Sequence, residues 1–168
     1  MDPGDYARLA RVATANIQPL WARLDPQIPD IALEMIGPDR HGDTYAFRKM
    51  LQAGADWCLS SDWPVSTLNP FEIIETAVTR QARKLDGAKE PFQPGQRLTV
   101  EEAVMGYTSH AARACWRAGL TGQLRTGFSA DLIVLDQDIF ACAPDAISDT
   151  KVLLTLFRGK VVHRTGAV

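Results

Sequence analysis

Residues 53–65, Ala53-Gly54-Ala55-Asp56-Trp57-Cys58-Leu59-Ser60-Ser61-Asp62-Trp63-Pro64-Val65, restrict the fold of this chain more than any other stretch. A short apolar run, Ala55 to Ser60, ends on the polar pair Ser61-Asp62. Trp63-Pro64 then stops it, because proline has no N–H to give to a ladder. A helix signal follows from Pro70. Strand, loop and helix in that order make the repeating unit of a parallel sheet, and the carboxyl end of such a strand is where α/β barrels place catalytic carboxylates. Asp62 is therefore the first candidate for chemistry. One reading makes it a metal ligand or general base held at a strand tip. The other makes it a turn-forming aspartate that bonds its own backbone ahead of Pro64.

The same order occurs once upstream. Residues 5–12 read as the end of an amphipathic helix with Tyr6, Leu9 and Ala10 on one side, and 12–18 as a buried strand stopped by Pro19. Gln18 falls on the tip of that strand, at the edge Asp62 occupies in a parallel pair. It reads either as a substrate hydrogen-bonding group or as a partner for backbone freed by Pro19. Residues 26–37 carry an irregular helical pattern interrupted by Pro29. Pro38-Asp39 then opens a helix through Leu51, closed by Gly54 as a left-handed cap. The alternation predicts a parallel αβαβ layout.

Downstream, Pro70 to Leu85 reads as a helix and 86–97 as an exposed loop. Thr99-Val100-Glu101-Glu102 fits a capping box, and Thr108-Ser109 opens a further short helix that ends at Gly119. Near residue 120 the pattern changes class. Ala130 to Asp136 reads as a strand, and Val152–Phe157 with Lys160–His163 as a hairpin turning at Arg158-Gly159. The expected fold class is α/β, followed by a β-rich segment.

Composition removes several functions. A net charge of −2 with scattered basic residues gives no reason to expect nucleic acid; Arg80, Arg83 and Lys84 read as solvated charge on a helix face. No apolar run approaches the roughly 18 residues of a membrane span, and the acidic start Met1-Asp2-Pro3-Gly4-Asp5 is unlike a secretory signal. Cys58, Cys115 and Cys142 are odd in number and widely spaced, which suggests neither a disulfide framework nor a zinc knuckle. Cys58 and Cys115 are expected to be small core residues, and the cytoplasm is the expected location. His41, His110 and His163 stand apart from one another and read as surface or satisfied core side chains. Trp21 and Trp63 follow the two strand tips, as pocket walls or as packed rings. Ser61 lacks the glycine-flanked elbow of a serine nucleophile.

With these pieces placed, the chain resembles the C-terminal part of the metal-dependent amidohydrolases, in the subgroup whose strand-eight motif is read here as Ser60-Ser61-Asp62-Trp63-Pro64-Val65. Ala15-Asn16-Ile17-Gln18-Pro19 resembles the family's strand seven, and Ala77-Val78-Thr79-Arg80 the helix that follows. Leu98 to Ala103, with Tyr107-Thr108 and Ala111-Ala112, resembles the helix pair after the barrel. Gly122-Gln123-Leu124, Gly127 and Ala130 to Asp136 resemble the return into a β-sandwich. The resemblance implies a partial (β/α)8 TIM barrel, its last two βα units in 1–118, followed by strands of a composite β-sandwich in 119–168.

It also implies a metal-dependent hydrolase of non-peptide carbon–nitrogen bonds that uses Zn2+ or another divalent metal. Asp62 would be metal ligand and proton shuttle, with Gln18, Ser61 and Trp63 near a small amide-type substrate. The family's histidine pair on strand one and its ligands on middle strands have no counterpart here, and a complete barrel takes about 250 residues. The expectation is thus a truncated or split enzyme that holds no metal tightly and is inactive by itself. It would pair with a separately made N-terminal portion or with itself. The alternative is a non-catalytic oligomerisation or complementing subunit.

Overall fold

The computed structural model describes residues 3–25, 28–81 and 90–166. Helix α1 (Tyr6–Val12) leads into strand β1 (Thr14–Ile17), which pairs in parallel with β2 (Asp56–Leu59) in the register Thr14↔Asp56 to Ile17↔Leu59. The ladder runs one step further, where the Ser60 N–H donates to the Ile17 carbonyl at 2.9 Å. The alternating helix and strand order read from the sequence is the observed one. Side chains alternate across a strand. On one face Ala15, Ile17, Trp57 and Leu59 join the core. On the other, Thr14 donates to Asp56 at 2.8 Å and Cys58 lies against the Asn16 carboxamide.

The link between β1 and β2 departs from the sequence reading. Residues 28–36 form a wide π turn (Ile28–Leu33) that runs into the short α2 (Glu34–Ile36). The expected single helix from Pro38 to Leu51 is broken in two. A 3-10 segment spans Pro38–Asp43, and α3 covers Phe47–Gln52. Between them Tyr45 sits at φ +50, where its carbonyl accepts from buried Arg80. Gly54 does close α3 at φ +79, with its N–H on the Leu51 carbonyl.

Helix α4 (Pro70–Thr79) begins as its sequence dictates: Asn69 caps the Phe71 N–H at 3.0 Å and proline takes the first turn. Phe71, Ile73, Ile74 and Ala77 are buried. It stops at Thr79, short of the expected Leu85, because Arg80 turns left-handed at φ +60; the remainder of that expectation, Ala82 to Leu85, lies outside the described residues, as do Arg83 and Lys84. Arg80 corrects a second expectation. It is wholly buried, not solvated, with Nε on the Phe92 carbonyl (2.8 Å) and the guanidinium against the Phe47 and Phe92 rings at 5.0 and 5.5 Å. Burial pushes its pKa down to about 10.

Helices α5 (Val100–Tyr107) and α6 (Ser109–Ala114) cover β2. The capping box is present in full: Thr99 accepts from the Glu102 N–H, and Glu102 from the Thr99 N–H at 2.7 Å. Gly106 lets α5 approach closely, since a Cβ there would lie 2.5 Å from Leu59 Cγ. Helix α6 ends at Ala114, before the expected Gly119, and Cys115, expected in the core, is exposed.

The C-terminal segment forms an antiparallel meander of β3 (Leu132–Leu135), β4 (Val152–Phe157) and β5 (Lys160–Arg164). Arg158 and Gly159, at φ +50 and +75, turn the β4–β5 hairpin where the sequence placed it. A 3-10 segment, Pro144–Asp149, packs onto α4, with Ile147 fully buried and the Ser148 N–H donating to the Glu75 carboxylate at 2.8 Å. Among the described residues no helix is long and apolar enough to cross a membrane.

Candidate active-site edge

The carboxyl ends of β1 and β2 lie side by side, and the parallel register brings Gln18 and Ser60 to the same edge. Beyond Ser60 the chain makes a tight turn fixed by its own polar atoms. The Ser61 hydroxyl accepts the Trp63 N–H at 3.1 Å, and the Ser66 hydroxyl donates to the Ser61 carbonyl. The Asp62 carbonyl accepts the Val65 N–H at 2.8 Å. Asp62 itself sits at φ +63, a left-handed conformation that aspartate tolerates better than most residues, and the Trp63–Pro64 bond is cis.

This arrangement divides the labour. Ser61 supplies the side chain that closes the turn, and the half-buried Asp62 carboxylate makes no hydrogen bond among the described residues. A backbone held by neighbours, with the acidic group left over, is what a strand-tip ligand or base requires. The Gln18 side chain likewise caps nothing. The Ser60 hydroxyl is buried without a partner among the described residues. Trp63 is 60% exposed and Trp21 is half-buried. Arg23, in the loop leaving β1, has its pKa lowered by burial and partly restored by Asp25 and Glu72.

The three histidines do not join this edge. His41 Nε2 lies 2.8 Å from the Leu33 carbonyl, and His163 is on the exposed strand β5. His110 meets the Trp57 ring edge-on at 4.7 Å, and its Nδ1 is buried without a partner among the described residues. Burial lowers its pKa, with Arg113 adding to the effect. Among the described residues no group of three or more His, Cys, Asp and Glu side chains comes together to hold a metal ion. They do not by themselves fit a divalent cation. Ile36, Arg40, Asp43, Thr44 and Tyr45 line a cavity of about 220 Å³. None of them is a candidate in the sequence, where Ile36 falls in the irregular helical pattern of 26–37 and the others in the helix expected from Pro38 to Leu51.

The model of the amidohydrolase family matches residues 3–163. The chain belongs to the amidohydrolase family. Among its relatives, the N-substituted formamide deformylase of Arthrobacter pascens is 36% identical over 128 residues, 76% of this chain and 23% of that protein. Protein LONG AFTER FAR-RED 3 of Arabidopsis thaliana is 31% identical over 163 residues, 96% of this chain and 27% of that protein. A solved structure of an uncharacterized metal-dependent hydrolase from Pyrococcus horikoshii OT3 superposes with a TM-score of 0.72 at 24% identity, over 86% of this chain and 28% of the other, a likeness of fold. The chain spans about a quarter of the length of the curated relatives it matches.

Proposed function

We propose that this chain provides the last two strands and the final catalytic carboxylate of a metal-dependent hydrolase acting on carbon–nitrogen bonds of small amide-type molecules. The observation that carries this reading is the free Asp62 carboxylate at the carboxyl edge of a parallel strand pair, its turn being closed by Ser61 instead. Residues 1–118 form the barrel portion and 119–168 strands of a composite sandwich.

Asp62 takes the proton as water adds to the amide carbon and gives it to the nitrogen as the carbon–nitrogen bond breaks. It would also be one ligand to a divalent metal, zinc in the simplest case, whose other ligands would come from polypeptide outside the described residues. Gln18 and Trp63 border the substrate from the two strand tips, and Ser61 holds the turn between them.

Two features support a covering polypeptide. A parallel pair of strands has two open edges, and parallel sheets occur almost only within larger, covered sheets. Large apolar side chains stand in water at several points, among them Val12 (80% exposed) on α1 and Trp116 (95%) and Leu124 (86%) in the connection between α6 and β3. The occupant we assign to these surfaces is polypeptide carrying the remaining barrel strands. The chain alone then hydrolyses nothing.

Reconstitution with such a polypeptide tests the reading. Zinc-dependent hydrolysis of an N-substituted formamide should appear only with both parts, and Asp62→Asn should lower kcat by about 10²-fold or more. Full activity of the reconstituted Asp62→Asn enzyme removes this carboxylate from the mechanism. A stable homo-oligomer of the lone chain that needs no complement favours a purely structural subunit.

A further inference from the structure

We infer that Ser66 is a positioning residue for Asp62, gripping the peptide groups on both sides of it so that the carboxylate leaves the backbone in one direction. The inference rests on the hydrolase reading proposed above.

The turn after β2 has a gap in its backbone hydrogen bonding. A carbonyl entering a tight turn ordinarily accepts the N–H three residues on. For the Ser61 carbonyl that residue is Pro64, which has no N–H. A peptide oxygen taken from water without a donor is unfavourable. The Ser66 hydroxyl supplies the missing donor to the Ser61 carbonyl. The next carbonyl has its ordinary partner: Asp62 accepts the Val65 N–H at 2.8 Å, and the Ser66 N–H reaches the same oxygen at 3.4 Å.

These bonds fall on the two sides of one residue. The Ser61 carbonyl belongs to the peptide plane that meets Asp62 through φ, and the Asp62 carbonyl to the plane that meets it through ψ. Ser66 holds the first through its hydroxyl and helps to hold the second through its N–H. With both planes fixed, the Cα–Cβ bond of Asp62 has one direction. The restraint matters because Asp62 stands at φ +63, where a residue with a Cβ is less stable than in right-handed or extended backbone. Packing adds little to it among the described residues: Trp63 and Val65 are 60% and 70% exposed, and Pro64 is exposed as well. Ser66 is half-buried, so its bond meets less competition from water. The Ser61 hydroxyl acts on the far side of Asp62, accepting the Trp63 N–H at 3.1 Å.

The test begins with NMR of the isotope-labelled chain. The amide and α protons of one residue approach most closely at positive φ, so the wild-type chain should show a strong intraresidue NOE at Asp62. Ser66→Ala should weaken it and shift the amides of 61–66, while those of β1 and the body of β2 stay in place. Ser66→Thr keeps the hydroxyl and should keep the wild-type pattern. Ser66→Cys, similar in size but a weak donor, should behave as Ser66→Ala and serves if that variant does not fold. In the enzyme reconstituted with its complementing polypeptide, Ser66→Ala should lower kcat by about tenfold with KM changed by no more than about twofold, the pattern of a misplaced reacting group. Ser66→Thr should restore kcat. A wild-type chain lacking the strong Asp62 NOE, or a Ser66→Ala chain that keeps it, would overturn the inference and leave the hydrolase reading standing. So would wild-type kcat in Ser66→Ala where Asp62→Asn has lost its activity. Full activity of Asp62→Asn would instead remove the hydrolase reading and this inference together.

Discussion

Strands β2 and β5 are both short and apolar in their middle residues, yet they end in opposite environments. Trp57, Cys58 and Leu59 of β2 are buried to 8% exposure or less, whereas every residue of β5 is exposed, Val161 at 51% and Val162 at 61%. Helices α5 and α6 lie across β2, held close by Gly106. The meander is held by its ladder, by the turn at Arg158-Gly159, and by Asp131, whose carboxylate accepts the Arg158 N–H at 2.8 Å and the Thr121 hydroxyl at 2.9 Å. One region is fixed by burial, the other by local backbone chemistry. At about 25 cal/mol per Å² of apolar surface, only the first draws much stability from its side chains.

Removing a side chain that ties the second region to the first should therefore have the largest effect. Ile147 is fully buried on α4 although it precedes β4. Ile147→Ala should cost about 2–5 kcal/mol in urea unfolding, as large-to-small changes in cores do. A loss below 1 kcal/mol would break the comparison, since the C-terminal segment would then be anchored by something other than this contact.

Gly106→Ala probes the other side of the same contrast. The added Cβ would meet Leu59 Cγ at 2.5 Å and Trp57 Cζ3 at 2.7 Å, both on buried side chains. Helix propensity favours the change by about 1 kcal/mol, but overpacking a filled interior costs about 1–3 kcal/mol. The variant should unfold at lower urea than wild type, with a blue- or red-shifted Trp57 emission. Equal or greater stability would mean that α5 rests loosely on the strand.

What was legible in the sequence follows the same division. Gly54, the capping box at Thr99 and Glu102, and the hairpin at Arg158-Gly159 are set by neighbours within a few residues, and each appears as read. So do the parallel strands, whose apolar runs are bounded by Pro19 and Pro64. The end of α4 was not legible, because Arg80 turns left-handed to reach carbonyls at Phe92 and Tyr45, distant in sequence. The same contact breaks the helix expected through 38–51. At the strand tips the position of Asp62 could be read, but not that Ser61 closes the turn in its place. That depends on two hydroxyls, at Ser61 and Ser66, whose rotamers no spacing specifies.

A pH titration sharpens the contrast further. Arg48 grips Glu102 with both terminal nitrogens, at 2.7 and 2.6 Å, and the pair is about three-quarters buried. The Arg48 hydrogen bond holds the Glu102 carboxyl below its ordinary pKa of 4.5. A carboxylate with a depressed folded pKa stabilises the fold above its ordinary pKa, and that stability is lost as pH falls through the folded value. Glu102→Gln should therefore cost about 1 kcal/mol at pH 7, and its deficit should vanish in acid. A deficit that persists unchanged below the carboxylate range would assign the loss to packing, not charge.

The smallest effect belongs to β5. Val162→Thr keeps the β-branched shape that suits a strand and exchanges one methyl for a hydroxyl at a site 61% exposed. With no layer above it among the described residues, the substitution should move unfolding by no more than about 0.5 kcal/mol in the lone chain. In the complex with a complementing polypeptide the outcome depends on which surface is covered. If the meander is one half of a sandwich, Val162→Thr gains a cost of about 1 kcal/mol or more that appears only on assembly, because a hydroxyl is then buried. An unchanged small effect in the assembled protein would show that this face of β5 stays in water, and the second region would be a finished surface instead of half a core.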